Sequence, residues 1–250
     1  MTDLVTVADQ GSIRTVRMNR PDKKNALTAS MYGAMADAIE SANGSDAVRC
    51  VVIAGAPGAF SAGNDLQEFL QAASTGEGLG TNVVRFLHAL ARNERPLVAA
   101  VQGVAVGVGT TMLLHCDHVI AGSDARFSTP FISLGLVPEA GSSLLAPRLM
   151  GHQRAFSLLS MGRPLDAAAA HACGLVSTVV APGDVEAEAL KAAREIAALP
   201  AEALAAARRL MRGPPGPIIE RIDEEVRLFK QRLQSAEARE AFAAFLARKR

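Results

Sequence analysis

An α/β fold is predicted for this chain of 250 residues, on three observations. Short β-branched runs alternate with segments of helical period. Two of those runs end in glycine-punctuated turns that lead straight into a helix start. The length suffices for one large buried core with a helical appendage. The division is placed between a core over 1–198 and a helical region over 199–250.

The opening runs, Leu4 to Val7 and Ile13 to Met18, read as two strands joined by a hairpin turn at Asp9-Gln10-Gly11. A loop from Asn19 to Leu27 follows, and Thr28 is placed to cap a helix carrying Met31, Met35, Ala38 and Ile39. Val48 to Ala54 has the length and branching of a buried strand, and Gly55-Ala56-Pro57-Gly58 is turn chemistry. Phe60-Ser61-Ala62-Gly63-Asn64-Asp65-Leu66 then brings the chain to a helix start, where Asp65 and Glu68 have capping-box spacing. The Gly-, Ser- and Thr-rich stretch over 71–82 reads as a surface loop, and Val83 to Ala91 as a helix.

Leu97 to Val101 is again a strand, with Gly103, Gly107 and Gly109 ahead of an apolar helix start. In both glycine turns the small residues let another molecule approach the backbone. The first amides of each helix, near Asn64 and near Val108 and Gly109, are left without intrahelical partners. Such amides can hold an oxyanion. The second turn is not a phosphate loop, because no Gly-Lys-Ser/Thr follows, and its glycine spacing is wrong for a dinucleotide fold.

Further on, Arg154 to Met161 is helical, Asp166 is placed to cap Ala167 to Cys173, and Gly174 to stop it before a last strand, Val176 to Val180. Helices over Glu186 to Leu199 and Ala201 to Arg212 are split at Pro200. After the break Gly213-Pro214-Pro215-Gly216-Pro217, the last helix carries Ile222, Val226, Phe229 and Leu233 in one stripe.

Composition excludes several classes of function. Lys plus Arg number 26 against 25 for Asp plus Glu, with no Trp and one Tyr, so neither a basic field nor stacking aromatics point to nucleic acid. The run from Leu97 to Leu114 is interrupted by Gln102 and two threonines and is rejected as a membrane span. Three scattered cysteines, an N-terminus unlike a signal peptide and the ending Arg248-Lys249-Arg250, which is not a peroxisomal Ser-Lys-Leu, predict a cytoplasmic protein. His115-Cys116-Asp117-His118 cannot aim four consecutive side chains at one ion, so core packing is expected there and no metal.

The order and spacing of these motifs resemble the enoyl-CoA hydratase/isomerase (crotonase) superfamily. The matching pieces are Asn19-Arg20-Pro21 with Asn25-Ala26-Leu27, the stretch Phe60 to Leu66, the stretch Gly103 to Gly109, Cys116-Asp117, Gly135-Leu136-Val137-Pro138 and Gly174-Leu175-Val176. The resemblance implies a spiral of β-β-α units with a C-terminal helical region, assembled as a homotrimer or a dimer of trimers. It implies that the backbone amides of Asn64 and Val108 form an oxyanion hole for an acyl-CoA thioester. It also implies that Lys24, Asn25 and Ala26, with Ala62, Asp65 and Leu66, hold CoA, which belongs to the substrate, so no separate cofactor is expected.

The acid/base residues decide the reaction within such a superfamily. Hydratases of this kind use two glutamates, and their positions here look like Thr111 and Phe131. Hydration must both activate water and deliver a proton to carbon, so the absence of both carboxylates argues against it. Glu139, in Gly135-Leu136-Val137-Pro138-Glu139-Ala140-Gly141-Ser142-Ser143, sits in an apolar turn that should raise its pKa. That segment is similar to peroxisomal-type Δ3,Δ2-enoyl-CoA isomerases, in which the glutamate is the base. The expected function is therefore an enoyl-CoA isomerase. The alternatives are a 2-enoyl-CoA hydratase and an acyl-CoA-binding protein with little chemistry.

Overall fold

The computed structural model describes residues 3–65, 67, 68, 70 and 79–247. The strands are β1 (Val5–Gln10), β2 (Ile13–Met18), β3 (Cys50–Gly55), β4 (Leu97–Val101), β5 (Val104–Val106), β6 (His118–Gly122), β7 (Arg126–Ser128), β8 (Leu165–Asp166) and β9 (Thr178–Val180). The helices are α1 (Ala29–Asn43), α2 (Thr81–Arg92), the single turn α3 (Val108–Thr111), α4 (Ser142–Met150), α5 (His152–Leu159) and α6 (Ala167–Ala172). The chain continues through α7 (Val185–Ala198), α8 (Ala201–Arg212), α9 (Gly216–Leu233) and α10 (Ala236–Ala247).

The large sheet has the order β1-β2-β3-β4-β6-β9. It is parallel except for the β1–β2 hairpin. Parallel strands bury both faces, which is why β3 reads as an unbroken apolar run. The period of two then sends alternate residues to two cores. Val51, Ile53, Leu97, Ala99 and Val101 meet the cluster that holds Met35 and Ile39 of α1 and Phe86 and Leu90 of α2. Val52, Ala54, Val98, Ala100 and Ile120 meet Val185, Ala189, Ala193 and Ala197, spaced four apart along α7.

A second, small sheet, β5-β7-β8, lies beside the site. Ser61 joins it through a parallel bridge to Ala105. The repeating unit is thus a strand of the large sheet, a short strand or bridge in the small one, then a helix. The short members were not legible as strands, since two or three residues are too few to show a period.

Local signals set most helix starts. The Thr28 hydroxyl accepts from Met31 N at 3.3 Å, and Asp166 Oδ1 from Ala169 N at 2.8 Å. The capping box at Asp65 and Glu68 forms only by half. Asp65 Oδ1 accepts from the amides of Gln67 and Glu68, but Glu68 Oε2 reaches across to Ala29 N at 2.7 Å. The Asp65 amide is already taken by Leu27 O, so Glu68 serves the start of α1 instead.

The His115–His118 stretch does more than pack. Asp117 accepts from Leu97 N at 2.8 Å and from Arg208 Nε at 2.9 Å, tying α8 to the start of β4. Among the described residues no cluster of His, Cys, Asp and Glu could hold a metal, and no helix is long and apolar enough to cross a membrane. In α9, Ile222, Phe229 and Leu233 are buried as their stripe predicts, with Val226 packed at its edge.

Candidate active site

The two glycine turns are pressed against each other. Ser61 N donates to Val104 O at 3.0 Å and Val106 N to Ser61 O at 2.9 Å. Gly63 has φ +87°, and a Cβ there would stand 2.8 Å from Val106 O. One added at Gly109 would stand 3.0 Å from both the Cβ and the carbonyl oxygen of Ser61. Glycine is needed at 63 twice over, for its backbone angle and for the close approach. Gly107, with φ +55°, turns the chain into α3, and its carbonyl takes the amides of Thr110 and Thr111. The amides of Asn64 and Val108 donate to no described residue.

Thr111, three residues on from Val108 in α3, donates its hydroxyl to Glu139 Oε1 at 2.6 Å, which ties the carboxyl to the second turn. Glu139 is 1% exposed, and its Oε2 has no partner among the described residues. Burial pushes the carboxyl up to about 7, against the Thr111 hydrogen bond that favours its charge and with a smaller push from Glu225. Phe131, the other position where a hydratase carboxylate was looked for, is buried in the core. Glu68 is exposed and bound to Ala29 N.

The backbone of the turn that carries Glu139 is held by His115 and by Glu225. His115 Nε2 stands 2.7 Å from Ala140 O. A carbonyl can only accept, and burial lowers the ring pKa to about 4, so the imidazole is neutral with its proton on Nε2. Ala140 and Gly141 are both left-handed, at φ +62° and +69°, which lines up amides on one side. Glu225 of α9 receives them, Oε2 from Gly141 N at 2.6 Å and Oε1 from Ser143 N at 3.0 Å. Burial raises the Glu225 pKa, against the hydrogen bonds from Ser143 and Gly141 and the nearby Arg221.

Tyr32 completes the surroundings. Its hydroxyl bonds the side-chain oxygen of Asn64, and its ring meets Phe86 edge-on with centroids 5.5 Å apart. Burial, then the charges of Glu139 and Glu68, hold the phenol well above the usual tyrosine range. Sequence reasoning missed Tyr32, His115 and Glu225 as site residues. Two had a signal: Tyr32 falls on the Met35–Ile39 stripe of α1, and Glu225 is a carboxylate on the buried Ile222–Phe229 stripe of α9.

The residues expected at CoA lie along the first glycine turn. Lys24 is exposed and Asn25 fully buried, both with φ near the left-handed helix at 50° and 54°, and Lys24 O accepts from Ala62 N at 2.8 Å. The Asn25 side chain is consumed internally: Oδ1 accepts from Arg20 N, and Nδ2 donates to Ala56 O and Ala59 O. Asp65 is bound by Arg20 at 2.6 Å. Burial would raise its pKa, but the Arg20 bond and the amides of Glu68 and Gln67 bring it below the usual value. The amides of Lys24, Asn25, Ala26 and Ala62 are likewise spent, on Pro21 O, Arg20 O, Lys23 O and Lys24 O, so what this loop offers a ligand is the Lys24 ammonium and the second lone pairs of its carbonyls. Leu66 lies outside the described residues.

Paired glycine turns with free amides, joined through Thr111 to a buried carboxylate, bring together groups that can hold an oxyanion and transfer a proton. The chain belongs to the enoyl-CoA hydratase/isomerase family, whose model matches residues 8–250. It is similar to a probable enoyl-CoA hydratase of Rhizobium meliloti (strain 1021), 35% identical over 99% of this chain and 96% of that one. It is equally similar to enoyl-CoA delta isomerase 2 of Rattus norvegicus, 35% identical over 98% of this chain and 64% of that one. The crystal structure of an enoyl-CoA hydratase/isomerase from Pseudoalteromonas atlantica T6c superposes with a TM-score of 0.92 at 40% identity, covering 98% of each chain. The fold is the crotonase spiral.

Proposed function

We propose that the protein shifts the double bond of 3-enoyl-CoA thioesters to the 2-position. Glu139 takes the proton from C2, and the resulting enolate oxygen is held by the amides of Asn64 and Val108. The same carboxyl returns the proton at C4, so one residue closes the cycle with no net proton change. The observation that carries this reading is Glu139 itself: buried, free at Oε2 and raised to about 7. A base with a pKa near the working pH is ionised often enough to act and basic enough to pull. Each amide aimed at the developing oxyanion is worth about 3–4 kcal/mol. Hydration is disfavoured because Thr111 and Phe131 supply no second carboxylate.

Lys24, Asn25, Ala26, Ala62, Asp65 and Leu66 are proposed to surround CoA, with the first turn's main chain against the pantetheine. The deciding assay gives 3-enoyl-CoA and 2-enoyl-CoA to the enzyme in parallel. The expected result is growth of the conjugated 2-enoyl chromophore from the first substrate, with little water added to the second. Hydration outrunning isomerisation overturns the assignment.

The pH profile adds a directional test. The base must be ionised, so turnover should rise with pH through about 7 and then level off. Thr111→Val removes the hydroxyl that stabilises the charged form, so the midpoint should move to higher pH. At pH 6.5 the variant should run severalfold slower than the parent, while at pH 9 the two converge. A midpoint that stays in place or moves down would separate Glu139 from the titration.

A further inference from the structure

A cavity of about 210 Å³ opens between the C-terminus of α2 and the junction of α8 with α9. Its walls carry Arg92, Arg208, Arg209 and Arg212, with Glu94 as the acidic member. Three of the arginines follow from one helix face, since Arg208, Arg209 and Arg212 recur at the helical spacing along α8.

Two of the guanidiniums are anchored. Arg208 Nε bonds Asp117 and its Nη1 donates to Asn93 O at 2.7 Å, while Arg212 Nη1 donates to His115 O at 2.9 Å. These bonds fix the groups without using them up. The Arg208 side chain is 7% exposed, and its Nη2 is buried without a partner among the described residues. Arg92 and Arg209 make no ion pair among the described residues. Four guanidiniums against the carboxylates of Asp117 and Glu94 leave two positive charges in excess. Like charges gathered around one space repel, and burial first, then the charge of Arg208, lowers the pKa of Arg212.

The geometry points to this cavity as a binding site for a phosphoryl dianion, inorganic phosphate or a phosphomonoester. A dianion cancels the excess charge, and its tetrahedral oxygens accept from several guanidinium donors at once. At roughly 30 Å³ per water molecule, the volume suits one such ion with part of its hydration shell.

The test is calorimetry of the full chain with sodium phosphate, against sodium chloride at the same ionic strength. One saturable site per chain is expected. Arg92→Gln and Arg209→Gln, both exposed positions, should each weaken it roughly tenfold with circular dichroism unchanged. Absence of saturable binding beyond the chloride control overturns the site, and so does parent affinity in both variants.

Discussion

Glu139→Gln is expected to lose turnover of 3-enoyl-CoA by roughly 10²–10⁴-fold, the usual worth of a positioned general base. The amide has nearly the same shape and can still accept from Thr111, so acyl-CoA affinity should remain within a few-fold of the parent. Stability should move the other way above neutral pH. The native carboxyl keeps its proton up to about 7, whereas in the unfolded chain it ionises near 4.5. Between those values the folded state binds more protons, so the parent loses stability as pH rises through that window, on the order of 3 kcal/mol in all. The glutamine variant lacks this term. Its denaturation midpoint should change less between pH 5 and 8, and at pH 8 it should be the more stable protein. Parent-level turnover in Glu139→Gln would falsify the single-base assignment.

Gly63→Ala is expected to damage both catalysis and folding. The new methyl must live at φ +87° and would stand 2.8 Å from Val106 O, a backbone atom fixed in the small sheet. Left-handed strain alone costs about 1–3 kcal/mol. Relief of the clash separates the two turns and carries the Asn64 amide off its aim. Loss of one oxyanion donor lowers kcat by roughly 10²–10³-fold. Gly11→Ala is the control: its φ is +58°, with nothing within 4 Å of an added Cβ. It should lower the melting temperature while leaving kcat in place. If Gly63→Ala retains the parent kcat, the Asn64 amide is not a donor to the reacting oxygen.

Much of this architecture was legible because its signals are local. Thr28 and Asp166 cap their helices from within one turn, and Gly174, at φ +83°, ends α6 as a left-handed stop does. The two glycine turns could be placed because strand, turn and helix start are contiguous in the chain. The half-formed capping box marks where that logic ends. Asp65 and Glu68 had the right spacing, but the Asp65 amide was claimed by Leu27 O, which lies 38 positions back in the chain. Spacing cannot report a competitor that far away.

The sequence by itself determined most of the large sheet's strands and most of the longer helices, the two backbone turns and the identity of the carboxylate worth testing, because each rests on residues near one another in the chain. Only the tertiary structure decided how strongly that carboxylate is perturbed and what holds it. Thr111 reaches Glu139 across 28 positions, and Glu225 reaches Gly141 across 84. The physical reason is desolvation. A carboxyl is raised to about 7 only when packing from distant segments removes its water and leaves one oxygen without a donor. No local pattern encodes that exclusion, since it is a property of everything folded around the group.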